Sequence, residues 1–168
     1  MENENGAGFT RVEFGYKHTG NLRFIGLDLR ANPELDANGT IEKLKPMLGS
    51  LMSEFAAEEI SWYCYLEHHN GGEVNVNETG IGGYFFKAGT PVPEGCIYYD
   101  LPTVNIGYGV YCGNDDNFDR YTLTRDQILS DGVVIPYPEA YWTADQFMLG
   151  EDRFGYIIGV GDIPATAK

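Results

Sequence analysis

Basic residues are scarce in this chain. Eleven Lys and Arg stand against 25 Asp and Glu in 168 residues, a formal net charge of −14, and no stretch gathers the cations together. A chain so negative repels phosphate backbones over the Debye range, which argues against direct nucleic-acid binding and favours cationic ligands or basic protein surfaces. Solubility accounts for most of that charge. Long apolar runs are missing too. Nothing approaches the roughly 20 residues needed to cross a bilayer, so no membrane partner is expected. The opening MENENGAGFT has neither the cationic start nor the apolar core of a secretory signal, making the cytoplasm the expected compartment.

Cysteine is limited to Cys64, Cys96 and Cys112, an odd count without paired metal spacing, read as reduced thiols rather than a disulfide or zinc framework. Histidine is limited to three. His68 and His69 are neighbours on an extended segment and point to opposite sides, while His18 sits in a distant turn. Glu67-His68-His69 therefore reads as a solvated loop edge, and no metal site is expected. No cysteine stands near a histidine in the local sequence, which removes the usual nucleophile–base pair. Gly80-Ile81-Gly82-Gly83 opens a strand, not a helix, so it is no phosphate cradle. No cofactor is expected.

What the chain has in excess is aromatic side chains, 14% of residues, with twelve tyrosines. They crowd the stretch Gly82–Gly113, which reads as a hairpin: a strand, a turn carrying Pro91, Pro93 and Gly95, and a returning arm. Pro102 divides that arm into Cys96–Leu101 and Val104–Cys112. Upstream, Met1–Gly8 reads as a loose tail, and residues 1–10 are set apart from a single domain over 11–168. Arg11–Tyr16 and Leu22–Leu29 read as strands around a turn at His18-Thr19-Gly20-Asn21. Ile41, Leu44, Leu48, Leu51, Met52 and Phe55 recur at helical spacing, predicting a helix over 40–57 with Thr40 as N-cap and a kink or a late start at Pro46. Ser61–His68 alternates as a strand, with Trp62, Cys64 and Leu66 on one face and Tyr63, Tyr65 and Glu67 on the other. Phe118, Tyr121, Arg125, Ile128 and Leu129 mark a second helix stopped by Gly132. Tyr141–Leu149 and Phe154–Val160 close the chain as a hairpin.

This order of elements predicts an α+β fold: a duplicated β-α-β-β unit, with pseudo-repeats at about 11–79 and 80–163. Its twisted antiparallel sheet would carry two helices on one face and a central ligand groove between them. Phe86-Lys87-Ala88-Gly89, Pro93-Glu94-Gly95, Asp100-Leu101-Pro102, the strand Ile106–Tyr111 and the terminal Phe154–Val160 follow in the order seen in the gyrase-inhibitor-like family. The chain resembles that family, which includes the effector-binding domains of AraC-type and MerR-type multidrug-responsive transcription regulators, from about Arg11 to Ile163. It is most similar to the stand-alone members, because no helix-turn-helix segment precedes the domain.

The resemblance implies a pocket for hydrophobic compounds, with a carboxylate on the penultimate strand in a Glu-x-Tyr pattern. The matching positions are Asp145-Gln146-Phe147: the acid is one methylene shorter and the Tyr hydroxyl is missing. Asp145 is thus the first candidate for reading a ligand's charge, or for general-base work if the protein is a hydrolase. Trp62, Tyr65, Tyr84, Phe86, Tyr108 and Trp142 are the candidate pocket walls, although large aromatics fill cores more often than they line ligand sites. The expected function is binding of hydrophobic aromatic compounds, cationic ones included. Two alternatives stand beside it. One is a hydrolase of reactive cyclopropane-type compounds using the same pocket. The other is a protein partner bound through the acidic surface, as in an inhibitor of a topoisomerase.

Overall fold

The computed structural model describes residues 9–54, 63–68, 80–113, 117–136, 140–146 and 153–164. Along the chain run β1 (Phe9–His18), β2 (Leu22–Asp28), α1 (Ala37–Leu48), α2 (Leu51–Glu54), β3 (Cys64–His68) and β4 (Ile81–Lys87). Then follow β5 (Ile97–Asp100), β6 (Asn105–Gly113), α3 (Asn117–Ser130), β7 (Trp142–Gln146) and β8 (Arg153–Val160). The expected N-terminal tail at Met1–Gly8, the helix end beyond Glu54 and the start of the strand at Ser61 lie outside the described residues.

The helix expected over 40–57 begins earlier and breaks in the middle. Asp36 caps it, accepting a 2.7 Å hydrogen bond from the Gly39 N–H, so Thr40 is not the cap. The Thr40 hydroxyl instead donates back to the Asp36 carbonyl at 2.8 Å. Gly49, at φ 50°, ends α1 and leaves α2 as a separate turn. Pro46 neither starts nor splits the helix. It sits at an exposed position in the last turn, where its nitrogen cannot donate to the Glu42 carbonyl.

All eight strands pair antiparallel in one sheet, ordered β1-β6-β8-β7-β3-β4-β2-β5. The hairpin expected within Gly82–Gly113 does not form: β2 lies between β4 and β5 and pairs with both. Pro102 marks the point where the chain leaves one end of the sheet for the other, since β5 is an edge strand and β6 lies next to the opposite edge. β1 and β2 do not pair either; β1 joins β6, with His18 opposite Asn105. The closing hairpin of β7 and β8 is present, with Asp145 opposite Tyr156.

Two connections force the sheet to coil. Residues 19–21 alone join β1 to β2, six strand spacings apart in the order. A flat sheet would separate them by roughly 29 Å at about 4.8 Å per strand. Four Cα–Cα steps reach about 15 Å. Residues 101–104 bridge β5 to β6 in the same way. The two connectors are tied together, the N–H groups of Thr19 and Gly20 both donating to the Val104 carbonyl, at 2.8 and 3.1 Å. Curling is eased where β2 meets β4. A Cβ on Gly26 or Gly83 would fall 2.1 Å from backbone of the facing strand, so neither position admits a side chain.

Coiling gives the sheet an inner and an outer face. The inner face holds Phe24, Leu66, Phe85, Ile106, Trp142, Ala144 and Ile157 in one buried core. The outer face carries two further cores. Leu44 and Leu48 of α1 cover Ile25, Leu27 and Phe86, while Ile128 of α3 covers Tyr111, Tyr156 and Ile158. These contacts correct the expected fold class. The protein is predominantly β, an eight-stranded antiparallel sheet with three helices among the described residues, and not a two-helix duplicated β-α-β-β unit. The physical reason is strand exchange across the sheet. β1 of the first supposed repeat pairs with β6 of the second, and β5 of the second pairs with β2 of the first, so neither repeat is self-contained.

Candidate functional site

Between the strands covered by α1 and those covered by α3, the outer face carries β3 and β7. Their register brings Tyr65 opposite Asp145 and Glu67 opposite Thr143, and β8 adds Tyr156 opposite Asp145. All five side chains therefore share one face. Tyr65 and Glu67 are half-buried and Asp145 is buried. Tyr63 and Tyr84 continue the strip toward α1, their rings 5.8 Å apart and edge to face. Room for this comes from Gly82: a Cβ there would lie 2.3 Å from the Tyr63 hydroxyl.

Asp145 is not a lone carboxylate. Arg120 of α3 donates from Nη2 to Asp145 Oδ1 at 2.6 Å, with side-chain exposures of 1% and 11%. The guanidinium carbon also lies 4.8 Å from the centre of the Phe154 ring. Nε and Nη1 of Arg120 are buried without a hydrogen-bond acceptor, and each unmade bond of this kind costs about 1–3 kcal/mol. Burial, then the nearby Asp145 charge, holds the Glu67 carboxyl above its ordinary value of 4.5. Burial pushes the Tyr156 hydroxyl up as well, with Glu67 and Asp145 adding to the effect; it donates to Thr143 Oγ1 at 3.2 Å. Among the described residues, the strip thus assembles two carboxylates and one guanidinium among tyrosines.

Of the expected site residues, Asp145, Tyr65, Tyr84 and Phe86 share the outer face. Phe86 is fully buried beneath α1 and serves as core. Trp142 and Tyr108 belong to the inner face and cannot meet Asp145 through the sheet. Trp142 is wholly buried, packs on Phe85 at 5.7 Å and donates its indole N–H to Thr103 Oγ1 at 2.9 Å. Tyr108 donates to Glu13 at 2.8 Å, and burial followed by that hydrogen bond pushes its hydroxyl up to about 12. Trp62, His69 and Phe147 lie outside the described residues. Among the described residues, no group of three His, Cys, Asp or Glu side chains is placed to hold a metal, and no helix is long and apolar enough to cross a membrane.

Arg120 escaped the sequence reading. Of the helical stripe drawn through Phe118, Tyr121, Arg125, Ile128 and Leu129, Ile128 is fully buried but Leu129 is 54% exposed. Arg120, Thr124 and Ile128, each four residues apart, form the buried line. Thr124 donates to the Arg120 carbonyl at 2.8 Å and shares a 2.7 Å hydrogen bond with the Tyr111 hydroxyl. The i, i+4 spacing was visible, but a search for apolar periodicity passes over a stripe that begins with arginine and threonine.

No family model and no curated protein matches the chain. Among solved structures it is similar to an integron cassette protein from the mobile metagenome of Vibrio cholerae, with a TM-score of 0.42 and 9% identity, covering 90% of this chain and 98% of that one. A likeness so distant carries neither family nor function to this protein.

Proposed function

We propose that this protein binds small hydrophobic aromatic cations on the outer face of the sheet, between α1 and α3, in the manner of a stand-alone effector-binding domain of the gyrase-inhibitor-like kind. The observation that carries the reading is the charge count of the strip. Among the described residues Arg120 is bound to Asp145, while Glu67, whose carboxyl feels the Asp145 charge, has no cation placed on it in this half-buried, tyrosine-lined strip. The role first given to Asp145 passes in part to Glu67: Asp145 is already answered by Arg120, so Glu67 is the carboxylate open to a ligand. Tyr65 and Tyr84 offer ring faces, each worth about 0.5–2 kcal/mol to a desolvated cation. The chain's net charge of −14 draws cations toward the site before contact.

The hydrolytic alternative also moves to Glu67. A carboxyl held above its ordinary value is the better base for activating water. Tetraphenylphosphonium and the uncharged triphenylphosphine oxide test the binding reading by thermal shift, because a ligand that binds only the folded state raises Tm. Stabilisation by the cation alone, lost in Glu67→Gln, is expected. Equal stabilisation by both compounds, or a response unchanged by Glu67→Gln, overturns it. Asp145→Asn is the poorer variant, because it strands Arg120.

A further inference from the structure

A second polar arrangement lies at the far end of the sheet, where β1 forms an edge. Phe14, Tyr16, His18, Asn105, Asp162 and Ile163 line an open cleft of about 750 Å³. Its aromatic wall is a rigid pair: Phe14 and Tyr16 meet edge to face at 5.3 Å, and the Tyr16 hydroxyl is held by Asp131 at 2.5 Å. Its imidazole is oriented. Asn105 is buried, and its amide nitrogen donates to the Gly161 carbonyl at 3.0 Å, which turns the amide oxygen toward His18. That oxygen stands 2.8 Å from His18 Nδ1. An oxygen can only accept, so Nδ1 carries the proton and Nε2 is the acceptor of the neutral ring. Asn105 and Gly161 thus fix the tautomer of an exposed histidine.

We infer that this cleft is a second small-molecule site, for a flat apolar compound bearing a cationic N–H donor such as an amidinium or a protonated amine. The flat body lies against Phe14, Tyr16 and Ile163. The N–H groups meet two acceptors among the lining residues, His18 Nε2 and the Asp162 carboxylate. An anion of the same shape would meet the Asp162 charge and a lone pair, and is rejected. The inference uses neither Glu67 nor Asp145 and stands apart from the site between the helices.

Benzamidine is the probe, benzoate its anionic control, and the readout is the side-chain nitrogen spectrum of His18, one of only three histidines. The free protein is expected to hold His18 as the Nδ1–H tautomer. Benzamidine is expected to shift Nε2 saturably, with the same response in a Glu67→Gln background. Asp162→Asn, at an exposed position, should weaken the effect about tenfold, as loss of one charge-assisted contact does. An Nε2–H tautomer in the free protein overturns the inference. So does the lack of a saturable shift at millimolar probe, an equal shift by benzoate, or full binding by Asp162→Asn. Loss of the shift in Glu67→Gln would assign the effect to the other site and overturn it equally.

Discussion

Two arginine–aspartate pairs in this protein have nearly the same length and opposite meanings. Arg23 and Asp100 meet at 2.7 Å on the edge strand side, with side-chain exposures of 19% and 58%. The pair is bidentate, Arg23 Nη1 also donates to the Thr90 carbonyl, and the guanidinium lies 4.3 Å from the centre of the Tyr98 ring. The Asp100 hydrogen bond raises the Arg23 pKa, and Arg23 lowers that of Asp100. Arg120 and Asp145 meet at 2.6 Å with almost no exposure, and two Arg120 nitrogens find no acceptor. Water screens the first pair and shares its energy. The second gave up its hydration, and a direct contact between the partners offsets part of that loss. A well-satisfied pair at the surface thus contributes little stability, while an incompletely satisfied one in the interior marks a place where structure has been held for another reason.

The comparison breaks most sharply at Arg120. Arg120→Met takes the guanidinium away from the buried Asp145 carboxylate, and is expected to cost about 3–5 kcal/mol in urea unfolding. Adding Asp145→Leu should restore most of that loss, because an apolar pair of similar volume needs no hydration. A double variant as unstable as the single one would show that the pair contributes packing or contacts beyond its own charges.

A smaller effect separates the two regions by pH. The Glu67 carboxyl is raised above 4.5 in the folded protein, so between 4.5 and that raised value the folded chain binds more protons than the unfolded one. Its contribution to stability is fully present below 4.5 and is lost as pH climbs through the raised value. Urea midpoints measured across that window should fall less steeply for Glu67→Gln than for wild type. Parallel curves would mean that Glu67 is as well hydrated as in the unfolded chain. The smallest change belongs to the surface pair. Arg23→Ala should cost at most about 1 kcal/mol, and less in high salt. A larger, salt-independent loss would point to its stem and its contact with Tyr98 as the stabilising part.

The candidate site was half legible. Alternation along Ser61–His68 correctly set Tyr63, Tyr65 and Glu67 on one face, and the same rule paired Tyr84 with Phe86. Within one strand the period of two needs no tertiary information. Alternation also set Trp142 and Asp145, three residues apart, on opposite faces, a consequence that the sequence reading did not draw. Tyr108 was different. Which face of β6 it shares with Trp142 depends on the register of β6 against β8 and β7 against β8, contacts spanning dozens of residues. Gly26, Gly82 and Gly83 carried no visible sign of the close approaches they permit.

By itself, then, the sequence determined the local elements: the strands, the helical stretches with the stop at Gly132, and the negative charge; the break at Gly49 it did not show. Each depends on neighbours within one turn or one pleat, so propensity and spacing suffice. The tertiary structure alone decided which strands pair, which way the sheet coils and where Arg120 ends. Connectors of three and four residues, each joining strands six spacings apart in the order, compelled the two ends of the sheet to close toward each other. Only that closure turned a helical arginine and a strand aspartate into a buried pair beside Glu67. The free energy of such a pair lies in the desolvation of both partners, which exists only once the surrounding chain has excluded water.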